Sequence, residues 1–236
     1  NQYNLICLLR FMGCRDFNLE TKLVDRPRSS NVTFLGFPLE LELHSLNANI
    51  AVLGVPFGLP YTPNEMSNDQ SRAPDAIRQN AQDSAWEEPR TQSHFDWDLG
   101  GELLNGQNIR VVDCGNVTAQ IDDHQEHYRR AEIAAKYILN SGATLIALGG
   151  DHGVSIPIMR AMECKEKITL VHIDAHLDWR DEVNGVREGY SSPVRRASEM
   201  DWFDKIVQIG IRGVGSARSE EVEDARKYGA EIITAY

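Results

Sequence analysis

Residues 168–178 read ITLVHIDAHLD, an apolar run that ends in Asp174, His176 and Asp178. A short run rich in β-branched and aliphatic residues, without alternation, suits a strand covered on both faces, as in a parallel sheet. Toward the N-terminus the same kind of run recurs as TLIALGG (144–150), IRVVDCG (109–115) and IAVLGVPF (50–57). Toward the C-terminus it recurs as IVQIGIRG (206–213) and EIITA (231–235). Helical patterns fall between these runs. One begins at Ala73 with Pro74 in its first turn, and others span His127–Asn140 (stopped by Ser141-Gly142), Val154–Cys164, Val194–Met200 and Ser219–Tyr228 (stopped by Gly229). Strands separated by helical crossovers predict a three-layer α/β/α domain built on a mainly parallel sheet. The domain is expected over residues 49–236, and residues 1–48 read as an N-terminal arm or oligomer contact.

With 236 residues there is enough chain for one such domain with a buried core. The formal charge of -11 leaves no basic surplus to displace counterions from phosphates, so neither nucleic acid nor an anionic membrane is an expected partner. The same charge favours a small cationic substrate. Cys7, Cys14, Cys114 and Cys164 lie far apart without a C-x-x-C pair, as in a reduced, cytoplasmic protein.

Open α/β sheets carry ligands at the carboxyl ends of their strands, and GGDHG, DAHLD and GIRG all lie there. Asp174, His176 and Asp178 follow an i, i+2, i+4 spacing, which on extended chain puts three side chains on one side. Two carboxylates and an imidazole suit a borderline divalent ion, and a carboxylate can bridge two such ions. His152, after LIALGG, is placed to close on the same cleft; Asp151, directly before a helix, reads equally as a cap or supporting partner and as a ligand, and is left out of the ligand set. A lone Asp or His after a strand is ordinarily a cap or a loop hydrogen-bonder; four such residues at two strand ends are not. His124 and His127 in DDHQEH read as a solvated helix start, and Asp96 and Asp98 in FDWDLGG as structural. Trp86, Trp97 and Trp202 read as packing residues, whereas Trp179 is close enough to DAHLD to line a pocket.

GGDHG (149–153) and HIDAHLD (172–178) resemble two signatures of the ureohydrolases, the family of arginase and agmatinase, with weaker echoes in RAPDAIR, VVDCG and RRASEM. The resemblance runs from about Asn49 to the last residue and implies an arginase-like fold. It also implies two divalent metal ions, manganese first, with nickel, cobalt or zinc as alternatives. His152, Asp174 and Asp178 would bind one ion and His176 the other, with Asp174 bridging. Asp178 would also touch the hydroxide shared by the two ions, which gives it a catalytic role. The implied reaction is hydrolysis of a guanidino compound to urea and an amine, as in polyamine metabolism, by a homo-oligomer of trimer or hexamer type.

Two departures qualify that picture. The family's third signature, S-x-D-x-D-x-x-D-P, does not occur among these residues, so the expectation is of a C-terminally truncated domain or of a chain without catalysis. GYSSPVRRA (189–197) stands where many relatives have SHGTPFRRA, which puts Tyr190 at a histidine position. Tyr190 and Arg180 are expected near substrate, although Arg180 has Asp181 and Glu182 as ready partners. Two further readings stay open: a single-zinc deacetylase-like hydrolase, and a non-catalytic subunit supporting an active partner.

Overall fold

The computed structural model describes residues 22–28, 32–62, 69–83, 95–98, 100–102, 107–120, 122–164, 166–215 and 217–236. Its elements in chain order begin with β1 (Val24–Asp25), β2 (Ile50–Val55), α1 (Ala73–Asp83), β3 (Phe95–Asp96), β4 (Gly101–Glu102) and β5 (Val111–Val117). They continue with α2 (His124–Asn140), β6 (Thr144–Gly149), α3 (Ser155–Ala161), β7 (Ile168–Ile173), α4 (Pro193–Ser198), β8 (Phe203–Ile211), α5 (Ser219–Tyr228) and β9 (Glu231–Thr234). All six expected strands form, and every neighbouring pair among them is parallel. Helix ends follow local chemistry. The Asp123 side chain accepts from the Glu126 backbone N–H, so α2 starts at His124, and Gly229 at φ 94° stops α5.

The strands divide into two sheets, ordered β1-β5-β2-β6 and β7-β8-β9. β1 joins β5 antiparallel, and β3 with β4 makes a separate two-stranded pair. In the first sheet Ala51, Leu53 and Val55 pack with Ala131, Ala134, Ala135 and Ile138 of α2. The opposite face is covered by α1, whose Arg78 reaches Asp113 and Asn116 of β5. Gly54 is small enough to admit those groups; a Cβ there would lie 1.9 Å from Asn116 Oδ1. The second core gathers Ile156 and Met159 of α3, Val194 and Ala197 of α4, Phe203 and Ile206 of β8, and Ala225 of α5. Helices on both faces of mainly parallel sheets give the expected α/β architecture.

The expected arm falls partly outside the described residues. Of its described part, Val24, Leu43 and Leu46 are buried in the first core, so residues 22–28 and 32–48 include segments packed onto the domain. Among the described residues, β6 pairs with β2 and β7 with β8, and the two sheets do not pair with each other. A cavity of about 590 Å³ lies between them, lined by Ala147 and Gly149 of β6 and by Leu170, Val171 and Ile173 of β7. Ile173 is 78% exposed. At the carboxyl end of this slot His152 and His172 come together, which places the site.

Candidate metal centre

The chain after β6 turns sharply at Gly149-Gly150, and a Cβ on Gly150 would sit 2.2 Å from the Pro56 carbonyl oxygen. Asp151 then accepts from Gly153 N–H (2.8 Å) and from Gly58 N–H (3.2 Å), capping the short 3-10 turn His152–Val154 and tying it to the loop after β2. These contacts fix His152. β7 ends at Ile173, and Asp178 follows at φ 51°, a left-handed conformation that Asp adopts more readily than most residues. A carboxylate held at such a backbone angle is a feature of functional sites.

Four side chains converge. His152 Nδ1 lies 2.5 Å from Asp178 Oδ2 and 3.6 Å from Asp174 Oδ2. His172 Nε2 lies 3.6 Å from Asp174 Oδ2 and 3.9 Å from Asp178 Oδ2, and the two imidazoles stack at 5.2 Å. One ligand atom from each of His152, His172, Asp174 and Asp178 falls within 4.8 Å of the others. His176 approaches from the opposite side of Asp174: its Nδ1 is 3.4 Å from Oδ1, and its backbone N–H donates to that oxygen at 2.8 Å.

Protonation follows the same geometry. Burial alone would lower the His152 pKa, but the hydrogen bond and charge of Asp178, with Asp174 and Asp151 behind it, outweigh burial and raise it. His172 moves the opposite way, because burial and the neighbouring His152 charge outweigh the carboxylates. For Asp174, burial works upward but is overcome by the His176 backbone hydrogen bond and by the surrounding histidines, so its carboxyl is held below the usual range. Carboxylate oxygens and imidazole nitrogens clustered this closely, around a buried His172 Nε2 without a hydrogen-bond partner among the described residues, fit a borderline divalent cation.

The sequence profile of the arginase family matches residues 48–236. The chain belongs to the arginase family. Among its relatives, an agmatinase of Photorhabdus laumondii is 34% identical over 183 residues, covering 76% of this chain and 55% of that protein. The fold resembles proclavaminate amidino hydrolase of Streptomyces clavuligerus, with a TM-score of 0.67 and 24% identity over 89% of this chain and 66% of that one. It also resembles a formiminoglutamase of Trypanosoma cruzi solved with Mn2+, with a TM-score of 0.65 and 22% identity over 82% of this chain and 64% of that one. The chain spans about half the length of the curated relatives it matches.

In this arginase-family chain the ligands expected from sequence lie as follows. His152, Asp174 and Asp178 are within one cluster, and His176 is beside it on the outer Asp174 oxygen. His172 lies outside the expected ligand set; it stands two residues before Asp174, so the same alternation carried one step back into β7 reaches it. Of the residues expected at substrate, Trp179 is buried beside Tyr228, Arg180 ion-pairs with Glu221, and Tyr190 is exposed at 37% and packs its ring on Tyr61 at 4.5 Å. Among the described residues His124 and His127 belong to no metal-type cluster, and His127 is not solvated as expected: it is fully buried, stacked on Phe57 at 4.1 Å. Asp96 accepts from the Asp98 backbone N–H within the β3–β4 pair, apart from the cluster.

Proposed function

We propose that the chain carries the metal centre of a hydrolase acting on a guanidino compound, releasing urea and an amine. One relationship carries the reading: Asp174 directs Oδ2 toward His152 and Oδ1 toward His176. With an imidazole near each of its oxygens, Asp174 would help to hold one ion together with His152 and Asp178 and a second together with His176. Bound divalent ions would supply Lewis acidity, lowering the pKa of water and making it a nucleophile near neutral pH. Manganese is the first candidate, in keeping with the Mn2+ of the Trypanosoma cruzi neighbour.

The chain's own groups then have distinct tasks. Asp174 and Asp178 concentrate negative charge where a planar, cationic guanidinium would approach, and the net charge of -11 draws such a cation inward. Asp178 is the nearest carboxylate to His152, placed to hold a proton at Oδ2 during bond cleavage. Arg180 is charge-paired with Glu221, which reduces its repulsion of a cationic substrate. Tyr190 is the substrate-facing candidate of the three expected contacts, because its ring is exposed and backed by Tyr61. Agmatine fits the relatives' names, and a homo-oligomer in the cytoplasm fits the family.

The reading is tested by loading the protein with Mn2+, measuring metal per chain, and assaying urea release from agmatine, guanidinobutyrate and arginine. Close to two ions per chain with metal-dependent urea release supports it. A single tightly held ion would favour the one-zinc alternative, since His152, Asp174 and Asp178 could together hold one Zn2+ with a position left open. Full metal loading without urea from any of the three compounds would overturn the assigned reaction.

A further inference from the structure

Gln208 lies on β8 directly opposite His172 of β7 in the parallel ladder, and its side chain is fully buried. Its Nε2 is 2.7 Å from the Leu177 carbonyl oxygen and 3.2 Å from His172 Nδ1. A carbonyl oxygen only accepts, so the amide atom facing it must be the NH2 group; the flipped amide would press two acceptors together at 2.7 Å. The same NH2 therefore donates to His172 Nδ1, and that nitrogen must be bare. In a neutral imidazole the proton is then on Nε2, the atom facing Asp174 Oδ2 at 3.6 Å and Asp178 Oδ2 at 3.9 Å.

We propose that Gln208 sets the tautomer of His172 and thereby turns an Nε2–H donor toward the Asp174 carboxylate, so that His172 is not a metal ligand. A ligating Nε2 would have to surrender its proton, and the remaining proton would have to sit on Nδ1, pointing into the Gln208 NH2 group. The two donors would collide. His172 is thus a positioning residue that orients a metal-binding carboxylate, and Gln208 positions His172 in turn. Two orphaned atoms support this. Among the described residues His172 Nε2 is buried without a hydrogen-bond partner, a donor one small movement from a carboxylate oxygen. Gln208 Oε1 is also buried without a partner among the described residues, a cost that a leucine or methionine would avoid if the position served packing alone.

This inference rests on the metal-centre reading for its purpose but not for its central observable, which is read without metal. In chelator-treated protein labelled with 15N-histidine, two-bond 15N–1H correlation spectra distinguish the tautomers, with His172→Gln identifying the His172 signals. The expected result is a protonated Nε2 and a bare Nδ1. A His172 protonated on Nδ1 in the wild-type chain overturns the proposal by itself. Gln208→Glu should move the proton to Nδ1, because a carboxylate accepts there; Gln208→Met, close in shape, should leave both tautomers populated.

Titration with Zn2+ gives the second readout. His172→Gln, whose amide nitrogen can replace the Nε2–H, should keep Zn2+ affinity within about threefold, whereas His172→Leu should lose about 10- to 100-fold. Equal losses in both variants, or disappearance of the His172 Nε2 proton when Zn2+ binds, would make His172 a ligand and refute the assignment. Absence of urea release alongside the expected tautomer would overturn only the reaction, leaving the positioning role intact.

Discussion

His152 and Asp178 are 26 residues apart in sequence, and their Nδ1 and Oδ2 atoms are 2.5 Å apart in space. The contact joins the GGDHG turn after β6 to the DAHLD segment after β7, two strands that share no ladder hydrogen bonds. Side chains, not sheet pairing, thus connect the two halves at the carboxyl ends of their strands. The left-handed backbone of Asp178 aims its carboxylate at this contact.

Asp178→Asn separates charge from shape. Asparagine tolerates the left-handed region and keeps one acceptor, so the fold should lose no more than about 1–3 kcal/mol. Metal affinity, measured by calorimetric titration with Mn2+, should fall by at least about tenfold, since a neutral amide is a weak ligand for a hard cation. Asp178→Ala should be less stable than Asp178→Asn in urea titrations, because a left-handed alanine adds about 1 kcal/mol of strain. Unchanged Mn2+ affinity in Asp178→Asn would place the ion elsewhere.

Metal binding should also depend on pH through His152. Its pKa is raised by Asp178, so near pH 6 the ring carries a proton that a cation must displace. Added Mn2+ should therefore raise the unfolding midpoint more at pH 8 than at pH 6. In metal-free protein the sign reverses for this group. A raised histidine pKa stabilises the fold below the ordinary value of 6.5, and that contribution fades as pH climbs through the folded value. Calorimetric scans at both pH values, with Mn2+ and with chelator, separate the two effects; an Mn2+ shift independent of pH would exclude His152 as a ligand.

Arg78 anchors the far side of the first sheet. Its guanidinium donates to both Asp113 oxygens at 2.8 and 2.9 Å, to Asn116 Oδ1 at 2.6 Å and to the Gly115 carbonyl at 2.9 Å, and neither Arg78 nor Asp113 is exposed. Arg78→Met would leave the Asp113 charge buried, among the described residues, against two backbone donors, Phe34 N–H and Gly115 N–H. The expected loss is about 3–5 kcal/mol in urea unfolding. A loss under about 1 kcal/mol would mean that water or another cation replaces the guanidinium.

Sequence carried the strands, the alternation and the metal-type residues, because each depends on local pattern. Short runs rich in apolar residues marked β2, β5, β6, β7, β8 and β9, and caps such as Gly229 marked helix ends. What it did not carry depends on distant partners. β1 is two residues long, too short for any period, and exists because Val24 and Asp25 pair with β5. The separation between β6 and β7 has no local signature, since an apolar run reads alike whether one or both of its edges are paired. Within the run ITLVHI nothing local sets His172 apart; Gln208 on the next strand and the two carboxylates meet it only in the fold. His127 sits in the polar stretch DDHQEH, and nothing there announces that Phe57, 70 residues earlier, covers it.

That buried histidine gives the fold an acid-sensitive point. His127 Nε2 donates to the Phe57 carbonyl at 3.0 Å, and burial, with nearby His124 and Arg130, outweighs the backbone hydrogen bonds and lowers its pKa to about 4. Between that value and the ordinary 6.5 the unfolded chain binds a proton that the folded chain refuses. Stability from this group is therefore complete above pH 6.5 and declines as pH falls toward 4, by about 3 kcal/mol in all at about 1.4 kcal/mol per pH unit. His172 is shifted in the same direction and adds to the slope, so the test is a difference between proteins. His127→Gln, which can still donate to Phe57, should be less stable than wild type at pH 7.5 but show a flatter decline between pH 6.5 and 4 in urea titrations. An identical slope in both proteins would mean that His127 becomes protonated in the folded state without cost, which its stacking beneath Phe57 argues against.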